Sequence, residues 1–396
     1  MSSRASNVLI LQSGGCTPVL NRSLYGIVAE ASERRATGEI YGARHGIDGL
    51  LKADFVDLRR QSQAAWQRIA RQPAAALGTT RHSPEEGELD AALGQLRRHS
   101  VRHLFIIGGN DSAATGHRLS AAAGAAGQPL TVVNVPKTID NDLVLTDHTP
   151  GYGSAARFVA LATLGAGLDA EAMSGEAPVT VIEVMGRDAG WLAASAALAK
   201  RDERDAPHVL GLPEAPVEEE KFLGLIEDAY RRYGFAVAVM AENTRGPGGR
   251  VLGGDGPPEW VDSFGHAYYQ SPARYIARQA AKRLKVRVRD ERPGTIQRSF
   301  IPATSPVDAR EAEEAGRAAV RLALKGQSNV MVTLVRESDS PYRCTTGAAP
   351  LEKVANAVRR MPEEYLDRER YFVTPAFIRY AAPLVGPRVP SPTRLK

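Results

Sequence analysis

Cysteine is scarce in this chain, because Cys16 and Cys344 are the only two among its 396 residues. They lie far apart and form no CxxC or Cys/His metal spacing, so neither a disulfide scaffold nor a structural zinc site is expected. No apolar run reaches the roughly 20 residues that a membrane helix needs. The N-terminal apolar run in MSSRASNVLILQSGG is too short for a signal peptide. We therefore expect a cytoplasmic protein without a membrane partner.

Blocks of one charge sign are also lacking. The chain has 50 Lys and Arg against 45 Asp and Glu, a net charge of +5, and its basic residues are interleaved with acidic ones. A nucleic-acid-binding protein usually gathers its basic residues into a patch. We expect no nucleic-acid partner, and a small anionic substrate explains the mild basic excess as well as plain solubility does.

Short apolar runs alternate with helical patterns along the chain, for example NVLILQ before NRSLYGIVAEASERR and VTVIEVM before AGWLAASAALAK. Such alternation predicts βαβ units and a mainly parallel sheet that is covered on both faces. The length and the number of units favour an α/β protein with two Rossmann-like domains, mainly parallel sheets and an active site in the cleft between them.

Two nucleotide-binding motifs are missing. The sequence has no GxxxxGK[ST] and no complete GxGxxG after its first strand, which argues against P-loop kinases and dinucleotide dehydrogenases. It does have three strand ends that run into glycine turns, LQSGGCTPVLN, IIGGNDS and VMGRDAG. Ligands of open α/β sheets lie at the carboxyl ends of strands, where glycine lets backbone N–H groups approach phosphate oxygens. The three turns together predict a phosphate-binding cleft.

The loop NVPKTIDNDLVLTDHTPGYGSAARF, residues 134–158, follows an apolar strand and precedes a helix. It carries Lys137, Thr138, Asp140, Asp142 and Asp147. Phosphoryl transfer requires a cation for the moving phosphate, a base for the attacking hydroxyl and a metal site, and this loop offers side chains for all three. A solvated loop rich in charges is the alternative interpretation.

The segments SGG…PVLN, GGNDS, PKTIDND, TDHTPGYGSAA, EVMGRDAGWLA, AENTRG and PGTIQRS occur in the order and approximate spacing of the phosphofructokinase family. The resemblance extends from about Val8 to FIRYAAPLVG near the C-terminus. The chain looks like a member of the pyrophosphate-dependent branch. This resemblance implies a Mg²⁺-dependent transfer from pyrophosphate to the 1-hydroxyl of fructose 6-phosphate, with a donor domain at 1–150 and an acceptor domain at 151–396. A return of the chain to the first domain around 255–300 stays open.

The resemblance also implies roles for individual residues. Asp140 is expected to be the general base, supported by Asp142, with Thr138 contacting the transferred phosphoryl group. The catalytic set is completed by Lys137 and Arg187. The donor is expected to contact Gly15, Arg81, Asp111 and Lys137. The acceptor is expected to contact Thr138, Asp140, Asp142, Met185, Gly186, Arg187, Glu242, Arg289 and Arg298. The metal is expected at Asp111 and Asn110.

Two positions support pyrophosphate rather than ATP as the donor. Relatives that use ATP have glycine at both, which leaves room for the α-phosphate, whereas this chain has Asp111 and Lys137. Two like charges near 4 Å repel by ~1 kcal/mol in water and by ~4 kcal/mol at an intermediate dielectric, so a carboxylate at Asp111 disfavours the α-phosphate. The lysine fills the remaining space and supplies a point charge for a small, dense anion.

Three positions depart from the family pattern. Asn110 replaces an aspartate that helps hold Mg²⁺, and asparagine keeps an oxygen ligand but loses the charge. Pro178 stands where an arginine clamps the sugar phosphate, and Thr295 stands where relatives that use ATP have histidine. Two charge-assisted donors are therefore missing. Another sugar or sugar phosphate as acceptor, or a sugar-phosphate sensor without catalysis, are the alternatives. Family members are dimers or tetramers, so we expect a homo-oligomer in which Arg289 acts across an interface.

Overall fold

The computed structural model describes residues 6–395 apart from 255–256, 259, 262–266 and 269. In chain order the described residues form these strands: β1 Ser6–Gln12, β2 Thr37–Ala43, β3 Phe55–Asp57, β4 Val101–Gly108, β5 Thr131–Pro136, β6 Val179–Val184, β7 Val209–Gly211, β8 Ala236–Ala241, β9 Trp260–Val261, β10 Ala267–Tyr268, β11 Val288–Glu291, β12 Val330–Asp339, β13 Tyr342–Pro350, β14 Leu366–Asp367 and β15 Phe372–Val373.

The α-helices of the same residues are α1 Leu20–Glu33, α2 Ile47–Lys52, α3 Gln63–Ile69, α4 Glu86–Arg98, α5 Asn110–Ala125, α6 Tyr152–Ala172, α7 Trp191–Ser195, α8 Glu219–Tyr233, α9 Pro272–Leu284, α10 Pro306–Leu324, α11 Leu351–Val354 and α12 Pro375–Ala381. Short 3-10 turns occur at Ala196–Ala199, Gly294–Arg298, Ile301–Ala303 and Glu363–Tyr365. No helix in this part of the chain is long and apolar enough to cross a membrane.

The chain divides into two compact units. The first contains residues 1–139, 143–151 and 306–358, and the second contains 140–142, 152–305 and 359–396. The chain thus returns to the first unit at Pro306, after the expected interval of 255–300, and residues 306–358 do not belong with the rest of 151–396. The physical reason is that α10 packs against α1 in the first unit, where the backbones approach so closely that a Cβ on Gly26 or Gly316 would overlap the other helix.

The described strands of the first unit form a sheet in the order β13-β12-β5-β4-β1-β2-β3. Its central strands are parallel, and β3 and β13 are antiparallel additions at the two edges. The central strands are buried on both faces, so they are almost continuously apolar. One face packs on α1 and α10 through residues such as Ile10, Leu24 and Ala319, and the other packs on α4 and α5.

The second unit has a parallel sheet in the order β11-β6-β8-β7 among the described strands. Apolar side chains of β6 and β8 pack on α8 and α9 through residues such as Phe222, Ile226 and Ile276. The expected fold class, α/β with mainly parallel sheets, is confirmed in both units.

Candidate functional site

Three loops of the first unit begin side by side. Strands β5, β4 and β1 are neighbours in the sheet, and their carboxyl ends pair as Gly108 with Pro136 and Gln12 with Ile107. The loop after β1 contains Gly15, the loop after β4 leads to Asp111, and Lys137 follows β5 directly. The sheet register therefore brings the three predicted donor segments to one edge.

Lys137 lies over the first glycine turn. Gly14 has φ +79°, and a Cβ on it would lie 3.1 Å from Lys137 Nζ. The Lys137 N–H donates to the Gly108 carbonyl at 3.1 Å, and the side chain is only 4% exposed. The buried ammonium therefore lies beside the glycine turn after β1, where a point charge suits a small, dense anion.

Thr80 and His82, the residues on either side of Arg81, are both held by hydrogen bonds. The Gly14 N–H donates to the Thr80 carbonyl at 2.9 Å, which ties the loop to the glycine turn. His82 contacts Asp48 Oδ1 through Nδ1 at 2.6 Å and Glu88 Oε2 through Nε2 at 2.9 Å. The hydrogen bond with Asp48 is the main cause that raises the pKa of His82 above its usual value. The backbone at Arg81 is therefore fixed from both sides.

Helix α5 begins at Asn110, and the Asp111 N–H donates to Asn110 Oδ1 at 2.9 Å. One lone pair of that oxygen is thus used within the chain, while the half-buried Asp111 carboxylate lies in the first turn of the helix. Mg²⁺ is usually held by one or two carboxylates together with substrate phosphates. Asp111 and Asn110 offer the hard oxygen atoms that such a cation requires.

The backbone of Thr138 is held from its C-terminal side. The Thr138 N–H donates to the Pro150 carbonyl at 3.3 Å, and Thr149 Oγ1 donates to the Thr138 carbonyl at 2.9 Å. The Gly151 N–H donates to Asp308 Oδ1 of α10 at 2.8 Å. The position of Thr138 therefore depends on the segment 146–151 and on α10.

In the second unit, Arg359 holds the turn that carries Asp140 and Asp142. Its Nε donates to the Asn141 carbonyl at 3.1 Å, its Nη2 to the same carbonyl at 2.8 Å, and its backbone N–H to the Asp142 carbonyl at 2.7 Å. Asn141 has φ +57°, and its Nδ2 donates to Tyr380 Oη at 2.8 Å. The Arg359 guanidinium lies 4.6 Å from the Trp191 ring centroid. The backbone that carries the two carboxylates is thereby held in place.

The predicted acceptor residues Met185, Gly186 and Arg187 follow β6. The Met185 N–H donates to Gln297 Oε1 at 3.1 Å, and Gln297 is buried. Gly186 has φ +116°, and a Cβ on it would lie 2.7 Å from the Ala189 carbonyl oxygen. The loop therefore requires glycine at this position, and Gln297 fixes its first residue.

Glu242 follows β8, next to the same loop, and its N–H donates to the Val184 carbonyl at 2.9 Å. Burial, together with the Asp140 and Glu183 carboxylates, raises the pKa of Glu242 to about 7, although Arg187 and the Gly186 N–H oppose this rise. The structure thus brings Asp140, Arg187 and Glu242 within electrostatic reach of one another. Perturbed carboxyl groups of this kind are typical of functional sites.

The two predicted phosphate arginines lie in different places. Arg298 directly follows Gln297, whose side chain accepts the Met185 N–H, so its backbone lies near the Met185 loop in space. Arg289 pairs with Thr180, four residues before the end of β6, which is about 13 Å at ~3.3 Å per residue. Its guanidinium forms an ion pair with Asp169 of α6. The second unit therefore does not bring Arg289 to the Met185 loop.

The departures from the family pattern are visible in the same unit. Pro178 is buried just before β6, and its carbonyl accepts the Ala236 N–H at 2.9 Å. Thr295 is exposed, and its carbonyl accepts a hydrogen bond from Ser299 Oγ at 3.0 Å. Neither position supplies a cation.

Sequence reasoning missed Arg359, Tyr380 and Gln297 as residues that position the site. Arg359 and Tyr380 lie more than 200 residues from the turn they hold. Two signals were available, because GTIQRS contains Gln297 and FIRYAAPLVG contains Tyr380, and both segments are part of the family resemblance.

Comparisons with known proteins extend over nearly the whole chain. A family model described as Phosphofructokinase matches residues 7–323. The pyrophosphate–fructose 6-phosphate 1-phosphotransferase of Xanthomonas campestris pv. campestris is 39% identical over 390 residues, which are 97% of this chain and 92% of that protein. A crystal structure of pyrophosphate-dependent phosphofructokinase from Nitrosospira multiformis has a TM-score of 0.89 and 33% identity, with coverage of 98% and 94%.

A more distant relative carries another substrate in its name. The sulfofructose kinase of Alkalicoccus urumqiensis is 30% identical over 366 residues, which are 92% of this chain and 93% of that protein.

Proposed function

Because the chain belongs to the phosphofructokinase family, we propose that it transfers a phosphoryl group from pyrophosphate to the 1-hydroxyl of fructose 6-phosphate. The products are fructose 1,6-bisphosphate and phosphate, and the reaction is reversible. The donor assignment rests on the buried Lys137 ammonium beside Gly14. This group lies at the same edge of the sheet as the loop that leads to Asp111. The relatives that match over more than nine tenths of their length are named as enzymes, which leaves the sensor alternative without support.

The donor is assigned to residues of the first unit. Lys137, Arg81 and the N–H groups at Gly15 bind the oxygens of pyrophosphate, since a dense anion is best matched by point charges and backbone donors. The Asp111 carboxylate repels an additional phosphate group at the position of the ATP α-phosphate.

The acceptor is assigned mainly to residues of the second unit. Asp140 takes the proton of the 1-hydroxyl as that oxygen attacks the phosphorus atom, and Asp142 supports the base. Thr138 and Arg187 stabilise the charge on the transferred group. Contacts to the sugar and its phosphate come from Met185, Gly186, Glu242 and Arg298.

Enzymes of this family generally need a divalent metal, and here we propose Mg²⁺. Asp111 would hold the cation, with the remaining lone pair of Asn110 Oδ1 as a second, weaker ligand. A bound Mg²⁺ neutralises charge on the phosphate oxygens that pyrophosphate presents. Asparagine at position 110 leaves one protein carboxylate for this task.

We propose a homo-oligomer that works in the cytoplasm. Arg289 lies at the opposite end of β6 from the Met185 loop, so its expected contact with a sugar phosphate requires the acceptor site of a second copy. The acceptor phosphate then receives Arg298 from one copy and Arg289 from another. Both cysteines are free thiols, which suits a reducing compartment.

A second candidate function keeps pyrophosphate and changes the acceptor. Pro178 removes one cation from the expected phosphate clamp, and one relative is named for a sulfonated sugar. A sugar with a different anionic group is the substrate class that this observation favours.

The test is phosphorus NMR of the full chain with Mg²⁺, pyrophosphate and a panel of acceptors that includes fructose 6-phosphate, fructose and 6-sulfofructose. We expect resonances of fructose 1,6-bisphosphate and phosphate to appear. When the reaction is started from these two products, the same resonances should decrease. Faster turnover of another acceptor would replace fructose 6-phosphate with the second candidate. Binding of sugar phosphate without any transfer would contradict both.

Replacing Arg359 with lysine is expected to lower kcat by roughly 100-fold, because a small misplacement of a catalytic group costs about that much. Lysine keeps the charge but loses the fork whose two N–H groups bind the Asn141 carbonyl at once. KM for pyrophosphate should stay unchanged, since the donor residues lie in the other unit. Steady-state kinetics checks this, with the exposed neighbour Arg360→Lys as the matched control. An equal fall in both variants would contradict a positioning role for Arg359.

Glu242 links acceptor binding to pH. With a pKa of about 7, its ionised fraction rises from roughly one tenth at pH 6 to roughly nine tenths at pH 8. Sugar hydroxyls donate to the ionised carboxylate, so the Kd for fructose 6-phosphate should fall about tenfold over this range. Calorimetric titrations of the native chain and of Glu242→Gln check this, because the ionisation of the sugar phosphate itself affects both proteins equally. Parallel pH profiles for the two proteins would contradict the prediction.

A further inference from the structure

A cluster of titratable side chains in the first unit is not used in the proposed transfer reaction. His148 is buried, and its Nδ1 lies 2.8 Å from Asp147 Oδ2 while its Nε2 lies 2.7 Å from Glu311 Oε2. Cys344 lies beside them. One ligand atom from each of His148, Glu311 and Cys344 can be chosen so that all three atoms lie within 4.8 Å of one another. A loop, helix α10 and edge strand β13 thus place an imidazole, a carboxylate and a thiol together.

This donor set favours a soft or borderline cation. Zn²⁺ binds imidazole nitrogen, thiolate sulfur and carboxylate oxygen, whereas Mg²⁺ prefers oxygen ligands. Ligand atoms of a tetrahedral Zn²⁺ site lie about 3.3 to 3.7 Å apart, as follows from metal–ligand distances of about 2.0 to 2.3 Å. Side-chain shifts of about 1 Å reach that spacing from the observed group. The cluster therefore suits a cation different from the one proposed for the transfer reaction.

His148 and Glu311 each have a hydrogen-bond partner outside the group of three side chains. Asp147 Oδ2 contacts His148 Nδ1 and is held in turn by Arg336 Nε at 3.0 Å, while Tyr342 Oη donates to Glu311 Oε1 at 2.7 Å. A carboxylate on the far nitrogen of a histidine fixes the tautomer that presents Nε2 to a metal. This arrangement holds Nε2 and Glu311 Oε2 2.7 Å apart, with the thiol within the same group of ligand atoms.

We propose that His148, Glu311 and Cys344 form a Zn²⁺ site, with water as the fourth ligand. Binding replaces the hydrogen bond between His148 Nε2 and Glu311 Oε2 with two bonds to the cation. It releases two protons to solvent, the one held in that hydrogen bond and the thiol proton of Cys344. Cys344 is half-buried, so ions in solution reach it. The spacing of 148, 311 and 344 along the chain forms no short motif, which is why the sequence predicted no zinc site.

A cation bound by His148, Glu311 and Cys344 would link the segment at Asp147 to α10 and β13. Thr149, the residue after His148, donates to the Thr138 carbonyl, so this link reaches the backbone of a residue proposed to contact the phosphoryl group. We expect Zn²⁺ to raise the melting temperature of the chain, because a ligand that binds only the folded state stabilises it.

The test uses the full chain after removal of metals, without substrates, so its outcome is independent of the donor and acceptor assignments. Equilibrium dialysis against Zn²⁺ should give one bound ion per chain. Replacement by Co²⁺ should give a sulfur-to-cobalt charge-transfer band in the near ultraviolet. Asp147→Asn should weaken the binding of Zn²⁺ by about 10- to 100-fold, as for other outer-shell carboxylates.

Two cysteine variants form the matched pair. Cys344→Ser should lose the charge-transfer band, and Cys16→Ser should keep it, with circular dichroism to show that both are folded. Glu311→Gln serves as a second ligand variant that keeps an acceptor for Tyr342, and it should bind Zn²⁺ less tightly than the native chain. Absence of bound Zn²⁺ at micromolar concentration, or a band that persists in Cys344→Ser, would overturn the proposal.

Discussion

Asp140→Asn should lower kcat by about 10²- to 10⁴-fold, the range that a general base contributes. Asparagine keeps the shape of the side chain and cannot accept the proton of the sugar hydroxyl. The turn that carries residue 140 is held through the Asn141 and Asp142 carbonyls and through Tyr380, so its backbone should remain in place. Single-turnover measurements with saturating pyrophosphate and fructose 6-phosphate give the rate of the chemical step.

A second measurement on Asp140→Asn, the pH dependence of fructose 6-phosphate binding, distinguishes loss of the carboxylate from loss of structure. The Asp140 carboxylate raises the pKa of Glu242, so its removal should move the pH dependence of fructose 6-phosphate binding to lower pH. Asp228→Asn, an exposed change on α8, is the matched control and should leave turnover unchanged. Native turnover in Asp140→Asn would show that another group is the base.

The double variant Asp111→Gly/Lys137→Gly should exchange the donor. Loss of Lys137 removes a buried cation from the pyrophosphate site and should lower turnover with pyrophosphate by about 10²- to 10³-fold, as for other oriented donors to a reacting anion. Loss of the Asp111 carboxylate removes the repulsion toward an α-phosphate. Turnover with ATP should therefore become measurable in the double variant.

The two single variants separate the contribution of Lys137 from that of Asp111. Lys137→Gly alone should lose pyrophosphate turnover without gaining ATP turnover, because Asp111 still repels the nucleotide. Asp111→Gly alone should need more Mg²⁺ for half-maximal rate, because it removes the one carboxylate proposed for the cation. A double variant that is silent with ATP would show that other residues exclude the nucleotide.

The sequence was sufficient for the class of fold and for the strand ends. Apolar strands buried on both faces have a distinctive pattern, and parallel strands place their carboxyl ends at one edge, so Gly15, Asp111 and Lys137 could be predicted as neighbours. Asp140, Arg187 and Glu242 could be grouped only by resemblance to a family, because pattern alone does not give the order of β6 and β8 in a sheet.

Other features depend on contacts between distant segments, which no local pattern reveals. Arg359 holds the turn at Asn141 from more than 200 residues away. The return of the chain at Pro306 depends on the glycine contact between α1 and α10, and it comes later than the interval 255–300 that the sequence left open. Arg289 illustrates the same limit, since the register of β11 with β6 decides which end of the strand carries it.

The most direct measurement compares donors for the native chain, with Mg²⁺ and fructose 6-phosphate, and with pyrophosphate and ATP in parallel assays. Asp111 and Lys137 predict turnover with pyrophosphate and none with ATP. Turnover with ATP alone would contradict the donor assignment on which the proposed function depends.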